Sequence, residues 1–444
     1  MTGAPPPGRP PLPPGQLPPM RIPRLLLDPC APLPAADDQG LVTVRLEHGE
    51  GRIRAIHGLA TGCGGDGEEG GAPAPLALTP LVEPHAHLDK AFSGEAFPNP
   101  EGTMAGAMAA NGREATVRQA EAVRRRGERA LDQAWRYGLR AIRSHIDSLG
   151  PWATPSWEVL LELRDRWRGR VELQLVALVP VGHWRTAEGQ AFAAWVAARG
   201  GLLGGVLGAP FRSTPADRAG LLALLRLAER LGCGVDLHVD ESADDHGRGV
   251  ALVSELLLHH RIVVPLTCSH ASSMGLLADR PCRRLAEAMA DAAVGVVALP
   301  STNLWLLAKH QRRTPSLRPQ APIRQLQEAG VTVAVGADNV QDPWFPGGDF
   351  DPIALLRFSL AASHLMPWRR LGLSPFSTAA AQLLGLEWDG VLREGAPADL
   401  VVLGATSWAE LLARPPRRRV LRAGRWLEPP PCEDPSPPLA ACHA

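Results

Sequence analysis

Leu81-Val82-Glu83-Pro84-His85-Ala86-His87-Leu88-Asp89-Lys90 begins as a short apolar run and ends in two histidines, an acid and a lysine. An apolar run too short for a membrane span, bounded by polar chemistry, reads as a buried strand delivering functional groups at its end. Seven more such runs follow: Leu139 to Ile146, Val171 to Val179, Gly204 to Pro210, Val235 to Val239, Val263 to Ser269, Val294 to Leu299 and Val331 to Gly336. Helical stretches separate them at Glu114 to Tyr137, Trp157 to Trp167, Ala191 to Ala198, Pro215 to Leu231, Arg248 to His260, Pro281 to Asp291 and Ile323 to Ala329, with Pro352 to Ala362 after the last. Alternating strand and helix patterns predict a parallel sheet of βα units. Eight of them predict an α/β fold of the (β/α)8 TIM-barrel type, whose functional side chains stand at the C-terminal ends of strands.

Outside this middle, both ends carry short β-rich runs, Leu41 to Leu46 and Arg52 to Ile56 near the start, Asp399 to Leu403 and Arg419 to Leu421 near the finish. Two ends of this kind can pair into one small β-sandwich. The expected organisation is a disordered Pro-rich arm over 1–20, a composite sandwich from 21–78 and 388–428, a barrel over 79–387 and a disordered tail over 429–444.

Among 444 residues, Lys+Arg 46 balances Asp+Glu 46, which leaves no electrostatic footprint for nucleic acid or an anionic membrane. No apolar stretch approaches the roughly 18 residues of a membrane span, and no secretory signal opens the chain, so the expected address is cytoplasmic. Seven scattered cysteines without a C-x-x-C pair argue against a disulfide framework or a thiolate zinc cluster. Only two lysines occur, Lys90 and Lys309, which gives each a claim to attention.

The strand ends concentrate metal-ligand and acid-base chemistry. Residues i and i+2 of a strand share a face, so His85 and His87 can both point into the barrel mouth. The fifth run ends in His238-Val239-Asp240-Glu241, the sixth in Ser269-His270, the eighth in Gly336-Ala337-Asp338-Asn339. Imidazoles plus a carboxylate suit one divalent ion, Zn²⁺ or Fe²⁺, with a position open for water. His145 and Asp147 end the second run, where outer hydrogen bonding and plain loop chemistry stay open. Arg124-Arg125-Arg126 reads as a solvated helix face.

Val82 to Asp89, His238 to Glu241, Ser269 to Ser272 and Gly336 to Trp344 together resemble the cytosine deaminase branch of the amidohydrolase superfamily. The resemblance implies that His85, His87, His238 and Asp338 hold the metal, that Glu241 shuttles protons, and that His270 contacts hydroxide and substrate. It implies deamination of a nitrogen heterocycle by metal-activated hydroxide, since a bound cation lowers the pKa of water from 15.7 to about 7. Catalytic candidates are thus Glu241, His270 and Asp338. Two departures bear on the substrate. Pro180 stands where these deaminases present a glutamine to the pyrimidine edge, and Lys90 and Asn339 look more like the N-isopropylammelide aminohydrolases of triazine degradation. Lys90, Asn339 and Trp344 are the substrate-binding candidates, with an ion pair to Asp89 or Glu95 as the competing role for Lys90. The partner expected is a small heterocycle, with homo-oligomer formation open. The alternatives are an aminohydrolase for N-substituted hydroxytriazines or another cyclic amidine, and a silent scaffold on the same barrel.

Overall fold

The structure, a computed structural model, describes residues 15–59, 73–207, 214–310 and 312–428. The arm through residue 14, the last residues of the fourth apolar run (208–210) and the tail from 429 lie outside the described residues. Chain contacts divide it into two units, Met1–Pro80 with Gly390–Ala444, and Leu81–Asp389.

The first unit contains two antiparallel sheets. One orders β1 (Met20–Pro23), β2 (Leu41–Gly49) and β3 (Arg52–Gly58) side by side. The other brings β4 (Ala77–Leu78) from the early part of the chain together with β13 (Leu400–Leu403), β14 (Arg418–Arg422) and β15 (Arg425–Trp426) from the late part. Strand β2 alternates in burial from Val42 to Glu47, with Val44 and Leu46 inside and Thr43 and Arg45 less covered, as a half-buried strand requires. Residues 15–20 are not part of a free arm: Leu17 is buried and donates its amide to the Leu46 carbonyl at 2.9 Å. Apolar side chains at Leu17 and Met20 draw this end of the Pro-rich segment onto the sheet.

The second unit is a (β/α)8 barrel. Its strands are β5 (Leu81–Ala86), β6 (Leu139–Asp147), β7 (Glu172–Leu178), β8 (Leu202–Val206), β9 (Val235–Val239), β10 (Leu266–His270), β11 (Val294–Ala298) and β12 (Val333–Val335), parallel and hydrogen-bonded in sequence order. A parallel bridge between Ala86 and Asp338 closes the ring. Strands β5, β9 and β10 are buried along their whole length, as expected of strands covered on both faces. The sixth run starts at Leu266, not Val263, because Pro265 has no amide to give a ladder and Val263 is 86% exposed.

The helical stretch expected over Glu114 to Tyr137 is two helices, α1 (Met104–Val117) and α2 (Ala120–Tyr137). Arg118 leaves the helical region at the break, with φ −59° and ψ 136°. Around the barrel follow α3 (Ala153–Arg166), α4 (Ala187–Ala197), α5 (Pro215–Leu231), α6 (Arg248–His260), α7 (Asp279–Asp291), the short α8 (Pro300–Leu306), α9 (Ile323–Glu328) and α10 (Pro352–Ser363). Helix α5 matches its sequence reading because Thr214 and Asp217 form a reciprocal cap and Gly232 takes a left-handed conformation at its end. Among the described residues no helix is long and apolar enough to cross a membrane.

Candidate active site

Strand β5 delivers His85, with His87 just beyond it; β9 delivers His238, β10 ends on His270, and Asp338 follows β12. Donor atoms of His85, His238, His270 and Asp338 all lie within 4.8 Å of one another, and all four side chains are buried. His87 joins them, its Nε2 3.2 Å from Asp338 Oδ1 and 3.4 Å from His238 Nε2. His85 Nε2 lies 3.5 Å from the same Asp338 oxygen. Neither oxygen of Asp338 nor Nε2 of His85 has a hydrogen bond of acceptable geometry. Buried polar atoms are almost always satisfied, and leaving them otherwise is costly. Nitrogen and carboxylate donors converging without partners are what a borderline divalent cation takes, so the residues present fit a metal.

Backbone geometry brings these groups to one point. His270 and Asp338 both adopt left-handed φ values, 74° and 64°, uncommon for residues with a side chain. Asp338 donates its amide to the His85 carbonyl at 2.9 Å. Beneath it, the Glu83 carboxylate accepts the amides of His85 at 3.0 Å and Ala337 at 3.0 Å. Burial, reinforced by the charge of Asp338, pushes Glu83 up to about 8. A Cβ at Gly336 would come within 2.7 Å of Glu83 Oε1, so glycine is needed for this approach.

Hydrogen bonds settle which ring nitrogens carry protons. Ser269 Oγ donates to Asp236 Oδ1 at 2.8 Å, leaving that hydroxyl as acceptor for His85 Nδ1 at 2.8 Å. His85 therefore turns the lone pair of Nε2 toward Asp338. Arg143 pins the other Asp236 oxygen at 2.9 Å. Asn303, on α8, donates Nδ2 to His270 Nδ1 at 2.9 Å, which makes Nε2 of His270 the protonated nitrogen. That N–H stands 3.6 Å from Glu241 Oε2. Burial depresses His270 to about 3, and burial with the neighbouring imidazoles holds His238 and His145 well below the usual range. Glu241 moves the other way: burial, then the charge of Asp338, raises its carboxyl well above normal. The turn carrying Glu241 is fixed by Asp240, which accepts the Gly249 and Val250 amides at the start of α6, each at 2.9 Å.

The substrate-binding candidates lie beside the cluster. Lys90 is buried, but its ion-pair partner is Asp147 at 2.7 Å, neither Asp89 nor Glu95, and its ammonium sits 4.7 Å from the Trp344 ring centroid. Asn339 donates to Asp342 Oδ2 at 2.8 Å, and Asp342 Oδ1 accepts the Trp344 amide at 2.9 Å. His145 stacks on His85 with ring centroids 3.8 Å apart, and its Nε2 stands 3.7 Å from Asp236 Oδ1 without a hydrogen bond. Pro180 follows β7 and is exposed.

Residues 100–427 match the amidohydrolase family. The chain belongs to that family. A pterin deaminase from Rhizobium rhizogenes is 34% identical to this amidohydrolase over 374 residues, covering 81% of this chain and 84% of the relative. The solved 5-methylcytosine deaminase of Klebsiella pneumoniae, liganded with 5-fluorocytosine, superposes with a TM-score of 0.76 at 25% identity, covering 87% of this chain and 94% of its own. The N-isopropylammelide isopropylaminohydrolase of Burkholderia multivorans gives 0.68 at 26% identity, with 92% and 98% covered. The cytosine-deaminase-like branch expected from the strand-end motifs is the one these relatives occupy.

Several groups of the amidohydrolase site escaped the sequence reading. Asp236 precedes His238 by two residues, and the period of a strand alone would have put both on one face. Asn303 gave no such signal. Arg118 is buried among three carboxylates, Asp89 at 3.2 Å, Glu114 at 2.7 Å and Asp147 at 3.2 Å. Arg126 does not belong to the solvated face of its helix: it donates to Glu114 at 2.6 Å and to the Asp89 carbonyl at 3.0 Å, while Arg125 stays exposed.

Proposed function

We propose that this amidohydrolase hydrolytically deaminates an oxygen-bearing nitrogen heterocycle of the pterin class, using the barrel unit and one divalent cation, zinc or iron(II). The observation that carries the reading is the set of buried, partnerless donors of His85 and Asp338, with His87 and His238 against them and the Glu241 carboxyl 3.6 Å from His270 Nε2. His85, His87, His238 and Asp338 would hold the cation. The 34% identity to a pterin deaminase supports the substrate class.

A bound divalent cation supplies Lewis-acid activation, making hydroxide available near neutral pH. The rest falls to the chain. His270, neutral and with Nε2–H directed at the mouth, donates to the attacking oxygen and orients it. Glu241 takes one proton from the water and delivers it to the ring nitrogen beside the reacting carbon, then takes the second from the hydroxyl formed on that carbon and delivers it to the departing amino group, acting as base and acid in turn. Oxygen bonds to the ring carbon, the carbon–nitrogen bond breaks, ammonia leaves and the ring keeps a carbonyl. Lys90 and Asn339 offer N–H donors to oxo groups of the ring, and Trp344 offers a flat apolar face.

Pro180, which lacks a side-chain donor or acceptor, supports a substrate other than cytosine. A site built around polar contacts rejects rings that leave its groups unpaired. The deciding measurement is kcat/KM of the metal-loaded protein for pterin, cytosine and N-isopropylammelide, following ammonia and isopropylamine. Pterin is expected to lead. Cytosine ahead by orders of magnitude would overturn the substrate class, and release of isopropylamine as the leading reaction would favour the triazine reading that Lys90 and Asn339 also fit.

A further inference from the structure

A cavity of about 340 Å³ opens beside the site among the loops that follow β5, β11 and β12. These three strands are neighbours through β11–β12 pairing and the Ala86–Asp338 closure, so the cavity overlies the sector that carries His85 and Asp338. Its walls include Trp305, Pro98, Pro343, Pro346, Glu95 and Asp342. Asp342 belongs to both places, since it lines the cavity and accepts the hydrogen bond from Asn339.

The cavity is built rather than incidental. Gly94 donates its amide to the Gln341 carbonyl at 2.8 Å, and Asn99 donates Nδ2 to the Pro343 carbonyl at 2.9 Å, so two of the three loops are tied together across it. Trp305 is held as a fixed wall. Lys309 Nζ lies 4.2 Å from its ring centroid, and a Cβ at Gly102 would come within 2.7 Å of the ring. An indole with proline rings around it presents flat apolar surface suited to stacking. The exposed carboxylate of Glu95 on the same walls disfavours a negatively charged guest.

We infer that this cavity is a substituent subsite: it receives a flat, uncharged aromatic or alkyl group carried by the ring of the substrate distal to the reacting carbon, with Trp305 as the stacking surface. The inference rests on the fused-ring substrate proposed above, because a single pyrimidine does not carry such a second ring. It makes Trp305 a specificity residue with no part in the chemistry.

The experiment compares pterin with pterins bearing an uncharged aryl group or a carboxylate at carbon 6, on the metal-loaded wild type, Trp305→Ala and Pro346→Trp. Trp305→Ala should raise KM for the aryl compound about tenfold and leave unsubstituted pterin nearly unchanged, and the carboxylate should be the poorer of the substituted pair in wild type. Pro346→Trp, at an exposed wall position that tolerates a larger side chain, should exclude the aryl compound by filling the space while sparing pterin. Parallel losses for substituted and plain pterin in both variants, or no change in either, would overturn the subsite while leaving the deaminase reading intact. Wild type that turns over no pterin of any kind would overturn the pterin substrate class and the subsite together.

Discussion

Asp338 holds His85 twice: its amide donates to the His85 carbonyl at 2.9 Å, and its carboxylate oxygen stands 3.5 Å from His85 Nε2. The bond that closes the barrel and the pair that faces the candidate metal therefore belong to the same two residues.

Replacing Asp338 by Ala separates these roles, because the amide stays and the carboxylate goes. Bound metal should fall by more than about tenfold and turnover should follow, while circular dichroism remains that of the wild type. Full metal content in the Ala variant would remove Asp338 from the ligand set.

Glu241→Gln keeps the shape of the side chain and abolishes its proton. With metal stoichiometry unchanged, kcat should drop by at least about a hundredfold, the lower end for a general acid-base group. Near-normal turnover would assign the proton transfers elsewhere.

Ser269→Ala takes away the acceptor of His85 Nδ1–H and the donor to Asp236. The ring is then free to change tautomer, and metal affinity measured by competition with a chelator should weaken by about 10- to 100-fold. Unaltered affinity would mean that stacking on His145 orients His85 by itself.

Arg118→Met leaves Asp89, Glu114 and Asp147 close together with a guanidinium missing. Breaking a buried pair by removing one partner costs about 3 to 5 kcal/mol, so the urea midpoint should fall clearly. A loss below about 1 kcal/mol would show that water enters the cluster and screens it.

The strands and their ligand-bearing ends could be read from the sequence because buried parallel strands are apolar runs, and barrel chemistry sits where those runs stop. Their starts were harder to read. Val263-Val264 looks like strand until Pro265 denies it an amide. The break at Arg118 was hidden for a different reason, since Arg118 and Gln119 are ordinary helix residues and nothing local opposes a continuous helix. What ends α1 is distant in sequence: carboxylates at Asp89 and Asp147 that become neighbours only after the barrel closes. Asn303, on α8, was hidden in the same way, as its partner lies 33 residues earlier at the end of β10. Asp236 was within reach, because its spacing from His238 already contained the answer.

Both lysines of the chain lie against indoles, Lys90 over Trp344 and Lys309 over Trp305. Their exposure differs: Lys90 is buried in a carboxylate pair, whereas Lys309 is open to solvent. Reagents that acylate amines thus meet a single accessible lysine side chain, placed against a tryptophan of the cavity wall. A dye or crosslinker introduced through Lys309 would tag the rim of the barrel at one known position, without cysteine engineering.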